Sequence, residues 1–269
     1  MAHAVAALAG DLKEMVREQY EFRELLYQMT LRDLLLRYKQ TVMGFGWALF
    51  MPLVNTAVFS VIFTRVAPLD VGMPYPLFAF CGLLAWNFSA SSFRFAVQSL
   101  TSNANLVTKV YFPREIFPIS AVFVSMVDLA VGATVLIALM AYYQIAPTSA
   151  LIALPWVLLV HIMFTLAISL LLAMANLFYR DVKYLFELVL TVWMFVSAVL
   201  YPVSQVGGVM GTIMSLNPMT PILEAYRDVL LRGQVPDAAF GVTTVVAALF
   251  LAGAWLVFHR AEYAFAENV

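Results

Sequence analysis

The sequence predicts an all-α integral membrane protein, and three observations carry that prediction. Hydrophobic residues make up 63% of the 269 positions and charged residues 12%, with mean hydropathy +0.89. A soluble chain this apolar could not cover its surface with polar groups. Six apolar runs approach or exceed the about 20 helical residues needed to cross roughly 30 Å of hydrocarbon. Lys and Arg gather beside alternate ends of those runs, as the positive-inside rule requires of a multi-pass protein.

The elements follow in chain order. From Leu12 to Met29, apolar Leu12, Met15, Val16, Phe22, Leu26 and Met29 recur at helical spacing, opposite Glu14, Arg17, Glu18, Glu21 and Arg23. This is an amphipathic helix, lying on the cytosolic membrane surface or packed on the body of the protein. A second helix, Leu31 to Tyr38, sets Leu31, Leu34, Leu35 and Tyr38 against Arg32, Asp33 and Arg37. The predicted spans are Gly46 to Val66, Tyr75 to Val97, Pro118 to Ala141, Leu151 to Leu177, Leu185 to Tyr201 and Ala239 to Phe258, of which the fifth is short.

Lys13, Arg17, Arg23, Arg32, Arg37 and Lys39 precede the first span. Arg94, Lys109 and Arg114 surround the second-to-third connection, Arg180 and Lys183 fill the fourth-to-fifth turn, and Arg260 follows the last span. Arg65, Arg227 and Arg232 are left for the other side, which places both termini in the cytosol. The opening MAHAVAALAG lacks a basic n-region, so no cleaved export signal is expected. The single Cys81 precludes an intrachain disulfide. A net charge of −1, with no polybasic block, gives no reason to expect a nucleic-acid partner.

Two connections stand out. Ser99 to Pro118 is too long for a tight turn and interleaves Lys109, Arg114 and Glu115 with Tyr111 and Phe112, between breakers Pro113 and Pro118. It reads as a cytosolic docking surface or as an interfacial loop in the headgroup layer. After Tyr201, Pro202, Gly207, Gly208, Gly211, Asn217, Pro218 and Pro221 interrupt apolar sequence, which is tolerated at membrane depth only where protein or water satisfies the backbone. Thr220 is the predicted N-cap of the helix that follows, with Pro221 at its first position and Gly233 as its stop. Glu224, Arg227, Asp228 and Arg232 form its polar face. A re-entrant or interfacial outer element is expected there.

Inside the spans, Asp128 and His161 each lie about eleven residues from a span end, so the two are expected at similar depth, where they could face each other. A proton-carrying pair and a structural interhelical hydrogen bond are both open. Asn55 and Asn87 invite the same reading. Trp47, Trp156 and Trp255 fit an interfacial belt. Trp86, Trp193 and Tyr201 are candidates to line a pathway, with ordinary helix packing as the alternative.

The runs RDLLLRYKQTVMGFGWALFMP (32–52), NLVTKVYFPREIFP (105–118), NLFYRDVKY (176–184) and LNPMTPILEAYRDVLL (216–231) together resemble the permease subunit of ABC-2 type polysaccharide exporters, the O-antigen, teichoic acid and capsule group. The resemblance runs from about Leu25 to the C-terminus. It implies a six-span subunit with an N-terminal cytosolic interface region (1–43), a transmembrane domain (44–258) holding a coupling loop (98–117) and an outer gate region (202–238), and a cytosolic tail (259–269). It further implies a second copy, two peripheral ATPase subunits that bind ATP and Mg, and a lipid-linked polysaccharide on an undecaprenyl diphosphate carrier, in a bacterial cytoplasmic membrane. By that resemblance Lys109, Tyr111, Phe112, Pro113, Arg114 and Glu115 contact the ATPase. Arg32, Asp33, Arg37, Tyr38, Gly44 and Trp47 form the cytosolic entrance, and Asn217, Pro218, Pro221, Glu224, Tyr226 and Arg227 the outer gate.

No GxxxxGK[ST] loop occurs, so the chain has no cofactor expectation of its own, and neither a metal site nor a catalytic residue is predicted. An ABC-2 exporter of small hydrophobic compounds shares the architecture. A membrane transferase acting on polyprenyl-linked sugars would need clustered carboxylates; Asp181 and Glu187 flank one turn, but beside Arg180 and Lys183.

Overall fold

In the computed structural model the described residues are 17–39, 44, 46–110 and 112–265. All regular structure among them is helical. We number α1 Arg23–Tyr38, α2 Gly46–Val61, α3 Tyr75–Ser99, α4 Ala104–Lys109, α5 Ile116–Tyr142, α6 Leu154–Phe178, α7 Val182–Val196, α8 Gly208–Leu216, α9 Met219–Arg227 and α10 Ala238–Ala261. Five of these helical stretches have the length and hydropathy to cross a membrane: α2 with the π-helical turn Ile62–Val66, α3, α5, α6 with its leading 3-10 turn, and α10 with its trailing one.

The fifth apolar run is the exception. It folds as the 15-residue α7, about 22 Å long, which stops at Val196, two residues before Ala198 turns the backbone at φ +52°. The remaining helix ends follow local chemistry. Pro74 and Pro76 open α3, and Pro155 sits in the first turn of α6 where no amide is missed. The Asp237 side chain accepts from Phe240 N at 3.1 Å to cap α10. Gly233, at φ +69°, closes the segment after α9 as the sequence predicts. Thr220, however, does not cap α9. That helix starts at Met219, whose amide donates to the Asn217 side chain at 3.1 Å.

α3 is the hub, packed against α2, α5, α6, α7 and α9, and most of its side chains are buried. Gly132 on α5 permits its closest approach to α5, because a Cβ there would lie 2.4 Å from Leu84 Cδ1. α6 and α10 run parallel: Trp156 meets Phe240 and Thr244 at their starts, and Phe258 and Phe178 both meet Phe265 at their ends. The chain between them must therefore return to the side on which α6 began, and α7 with the irregular segment after it makes that return. A separate small core of Met29, Leu100, Val107, Phe112, Phe117, Leu177, Phe258 and Phe265 gathers the opposite ends of these helices.

The two helices expected before the first span are one continuous helix from Arg23 onward, with residues 17–21 helical as well. It runs alongside α5, from Asp33 near Ser120 to Tyr38 near Asp128, and does not cross the bundle end.

Gly82 on α3 tests the packing. An added Cβ would stand 2.4 Å from Val199 O and 2.5 Å from Arg227 Nη2. Gly82→Ala is expected to cost about 1–3 kcal/mol through forced displacement of that segment, read as a lowered thermal midpoint in detergent; an unchanged midpoint would refute this packing.

Candidate functional site

The polar residues predicted at the cytosolic entrance are gathered on one side of α1, and that side faces inward. Arg32 Nη2 donates to Asn103 Oδ1 at 3.0 Å and pairs with Asp33 at 2.7 Å. Ser120 Oγ donates to Asp33 Oδ2 at 3.0 Å. Arg37 Nη1 lies 2.6 Å from Asp128 Oδ2, its guanidinium rests 4.3 Å from the centre of the Phe95 ring, and Tyr38 OH donates to Asp128. Burial raises the Tyr38 pKa, as do its bond to and the charge of Asp128, with Arg37 opposing, so the phenol stays protonated.

The first half of α1 keeps the expected pattern, with Leu25, Leu26 and Met29 turned inward and Arg23 and Glu24 outward, whereas its last turns depart from it. The charged residues clasp the helix to α3, α5 and the α3–α5 connection, while Leu35 and Leu36 are 58% and 63% exposed. In lipid, or against another apolar surface, exposed leucines carry no aqueous penalty, whereas unpaired charges would. Two clefts flank α1. One of about 300 Å³ is bounded by Asp33, Arg37, Phe95, Ser102 and Asn103. The other, of about 760 Å³, lies between Gln28, Arg32, Leu35, Lys39 and Gly44. Gly44 sits at φ +51°, and among the described residues no atom lies within 4 Å of where its Cβ would stand. A side chain there meets backbone strain before it meets any neighbour, so a bulky residue at Gly44 is not a clean plug. Trp47 is 40% exposed and packs edge-on against Phe50.

The predicted docking residues divide in two. Tyr111 lies outside the described residues. Phe112, Pro113 and Glu115 are buried, and Arg114 donates to Glu262 Oε1 from both its backbone N and Nη1, each at 3.0 Å, and to Val107 O. His259 Nδ1 meets Glu115 Oε1 at 3.0 Å. Burial pushes the Glu115 carboxyl above its ordinary pKa, nearby Glu262 adds to that, and His259 opposes it. Arg114 and Glu115 therefore bind the end of α10 to the loop, and reversing both charges would disturb the fold. The exposed positions of the connection are Ser102, Asn105, Thr108, Lys109 and Val110, and of the predicted docking residues that are described, Lys109 is the one among them.

The outer residues also differ from the expected gate. Arg227 belongs to the interior: its side chain is fully buried, donating to Ala198 O at 3.2 Å and Val199 O at 2.6 Å, paired with Glu224 at 2.7 Å and seated 3.8 Å from the centre of the Phe78 ring. Burial works against the Glu224 carboxylate, but Arg227 and Arg232 outweigh it and hold its pKa below the ordinary value. Asn217 Nδ2 donates to Ser197 Oγ, and its Oδ1 accepts from Trp193 Nε1 at 3.1 Å. Pro218 and Pro221 are half-buried at the start of α9. Glu224 alone among the acidic and basic gate residues keeps partial exposure.

Asp128 and His161 do not meet. Asp128 is taken by α1, while His161 Nε2 bonds Ser89 Oγ at 2.7 Å and its Nδ1 bonds Tyr226 OH at 3.1 Å. Depth along the chain placed them at one level, but helix rotation sends them to different neighbours. Asn55 is exposed on α2 and Asn87 half-buried on α3. Trp86, 3% exposed, packs edge-on against Trp193, which stacks on Phe93 at 5.9 Å. Tyr201 OH donates to Phe195 O. Trp86 offers no surface to a solute, and Trp193 is bound into the same aromatic core. The partners that complete these sites, Ser120, Asn103, Phe95, His259 and Glu262, carry no sequence signal of their own.

Several bilayer-length helices around a buried polar framework define a multi-pass helical membrane protein, with an end helix held by charge against the bundle. Its sequence matches the ABC-2 type transporter family over residues 24–231, and the chain belongs to that family. It is 30% identical over 258 residues to the O-antigen export system permease protein RfbA of Myxococcus xanthus, covering 95% of this chain and 99% of that one. It is also 26% identical over 245 residues to the O-antigen export system permease protein RfbA of Klebsiella pneumoniae, covering 91% and 94%. The resemblance read from the four sequence runs is borne out at the family level.

The clasp on α1 is open to a double-mutant cycle. Arg37→Met and Asp128→Leu are each expected to destabilise the protein, because each leaves a largely buried charge without its partner. The double variant should recover about 1–3 kcal/mol relative to the sum. Strict additivity in thermal or denaturant unfolding would show that the pair is not coupled.

Proposed function

We propose that this chain is the membrane-embedded permease of an ATP-driven exporter that moves a lipid-linked polysaccharide of the O-antigen class, carried on undecaprenyl diphosphate, across the bacterial cytoplasmic membrane. The observation that carries this reading is the end-to-end likeness to proteins named as O-antigen export permeases. Two copies work together with two peripheral ATPase subunits, which bind ATP and Mg; this chain has no phosphate-cradling loop and no catalytic residue. Energy then enters as a difference in how the ATPase holds the permease in its two nucleotide states.

Six crossings, with both termini cytosolic, accord with the parallel course of α6 and α10 and with the Lys and Arg distribution. α7 supplies one crossing despite its length, completed by the bent segment before Pro202. α9 re-enters from the outer side: Tyr226 reaches His161, about 10 Å into α6. The ATPase docks on Thr108, Lys109 and Val110, the exposed end of α4 in the α3–α5 connection. The substrate enters beside α1, where the clefts and the outward leucines place a polar and an apolar surface together, as a sugar headgroup with a lipid tail requires.

Loss of the permease in its host should trap undecaprenyl-linked polymer on the cytosolic leaflet, and complementation should release it. Lys109→Glu with Val110→Asp is expected to weaken ATPase association roughly tenfold or more without lowering membrane insertion. Normal association would move the docking surface elsewhere. Export of a small hydrophobic dye with no effect on the polymer would replace the glycan reading.

A further inference from the structure

We propose that Glu115, His259 and Glu262 form a binding site for a divalent transition-metal ion of the zinc kind. One ligand atom from each lies within 4.8 Å of the other two. His259 Nδ1 is 3.0 Å from Glu115 Oε1 and 3.8 Å from Glu262 Oε2. The edges of a tetrahedron with bonds of 2.0–2.1 Å are about 3.3–3.4 Å, so these separations bracket what an ion at the centre would set. An imidazole with two carboxylates suits zinc, cobalt or manganese better than calcium or magnesium, which take oxygen.

A second observation concerns the same carboxylate. The Glu115 side chain is 1% exposed, and its Oε2 meets no hydrogen-bond partner among the described residues. Such a buried acceptor costs free energy unless something satisfies it. The other oxygen of Glu262 is already fixed by two donors from Arg114, which orients Oε2 toward His259 as an outer partner orients a metal ligand. The ion would join the end of α10 to the start of α5 beside the proposed docking segment, and would stiffen the junction through which that segment connects to the bundle. The inference does not depend on the transported substrate.

The test uses the untagged full-length chain in detergent, stripped with chelator and titrated with Co²⁺ alone. About one Co²⁺ per chain, with visible d–d absorption that Zn²⁺ abolishes, is the expected result. Glu115→Gln and His259→Asn should each lose at least the 10–100-fold in affinity that disturbing an outer partner costs. His3 and His161 are the other imidazoles in the sequence, so a His3→Ala background removes one competing donor. Folding of each variant is checked by circular dichroism and gel filtration. If a variant fails to fold, metal content and the Zn²⁺-dependent rise in thermal midpoint of the wild type decide the matter. No stoichiometric ion would overturn the proposal, and His259 seen as imidazolium by NMR would then identify the protonated ring as what lies between the carboxylates. Binding that survives both substitutions would overturn it by placing the ion elsewhere.

Discussion

The structure depends on how it satisfies a stretch of broken backbone within a helical bundle. α7 stops at Val196, and the carbonyls of Ala198 and Val199 have no helical partner. In a bilayer-spanning protein such groups must be satisfied from within. Arg227 does this: a planar fork of donors reaches both carbonyls, Glu224 offsets the charge, and the Phe78 ring takes up its face. Gly82 leaves the room. The geometry explains at once why α7 can be short, why α9 lies within the bundle, and why α3 carries a glycine at that level.

The same economy governs α1. A helix with charges on one side and leucines on the other would, on a soluble protein, turn its leucines inward. In the last turns of α1 the charges of Asp33 and Arg37 turn inward because the bundle offers Asp128 and Ser120 as partners, and because exposed leucine is at no disadvantage beside lipid. The helix is therefore positioned in two ways: its first half by apolar burial of Leu25, Leu26 and Met29 in the small core, its second half by electrostatic and hydrogen-bond geometry, which is directional. The last turns of a helix held this way can be released by disturbing a few contacts.

Much of the molecule was legible in the chain. Five of the six expected spans appear within a few residues of their expected ends, because hydrocarbon thickness fixes length and hydropathy reports it directly. Gly233 as a helix stop was readable because a left-handed residue leaves glycine as the natural choice. Family membership was readable from four separated runs. The roles of individual polar residues were much less so. Asp128 and His161 matched in depth, yet one holds α1 and the other holds α9. Arg227 read as part of a polar face and is a buried anchor. Arg114 and Glu115 read as a docking surface and instead bind the last helix.

The sequence by itself determined that the chain is helical, membrane-embedded and of the ABC-2 kind, since those properties follow from composition, run length and local order along one dimension. Tertiary structure alone decided which way each helix turns about its axis, because each residue step rotates a side chain by about 100° and the chosen face depends on partners far away in sequence. That rotation sends Arg37 to Asp128, His161 to Tyr226 and Glu115 to His259, and it separates the surfaces this protein presents from the contacts that hold it together.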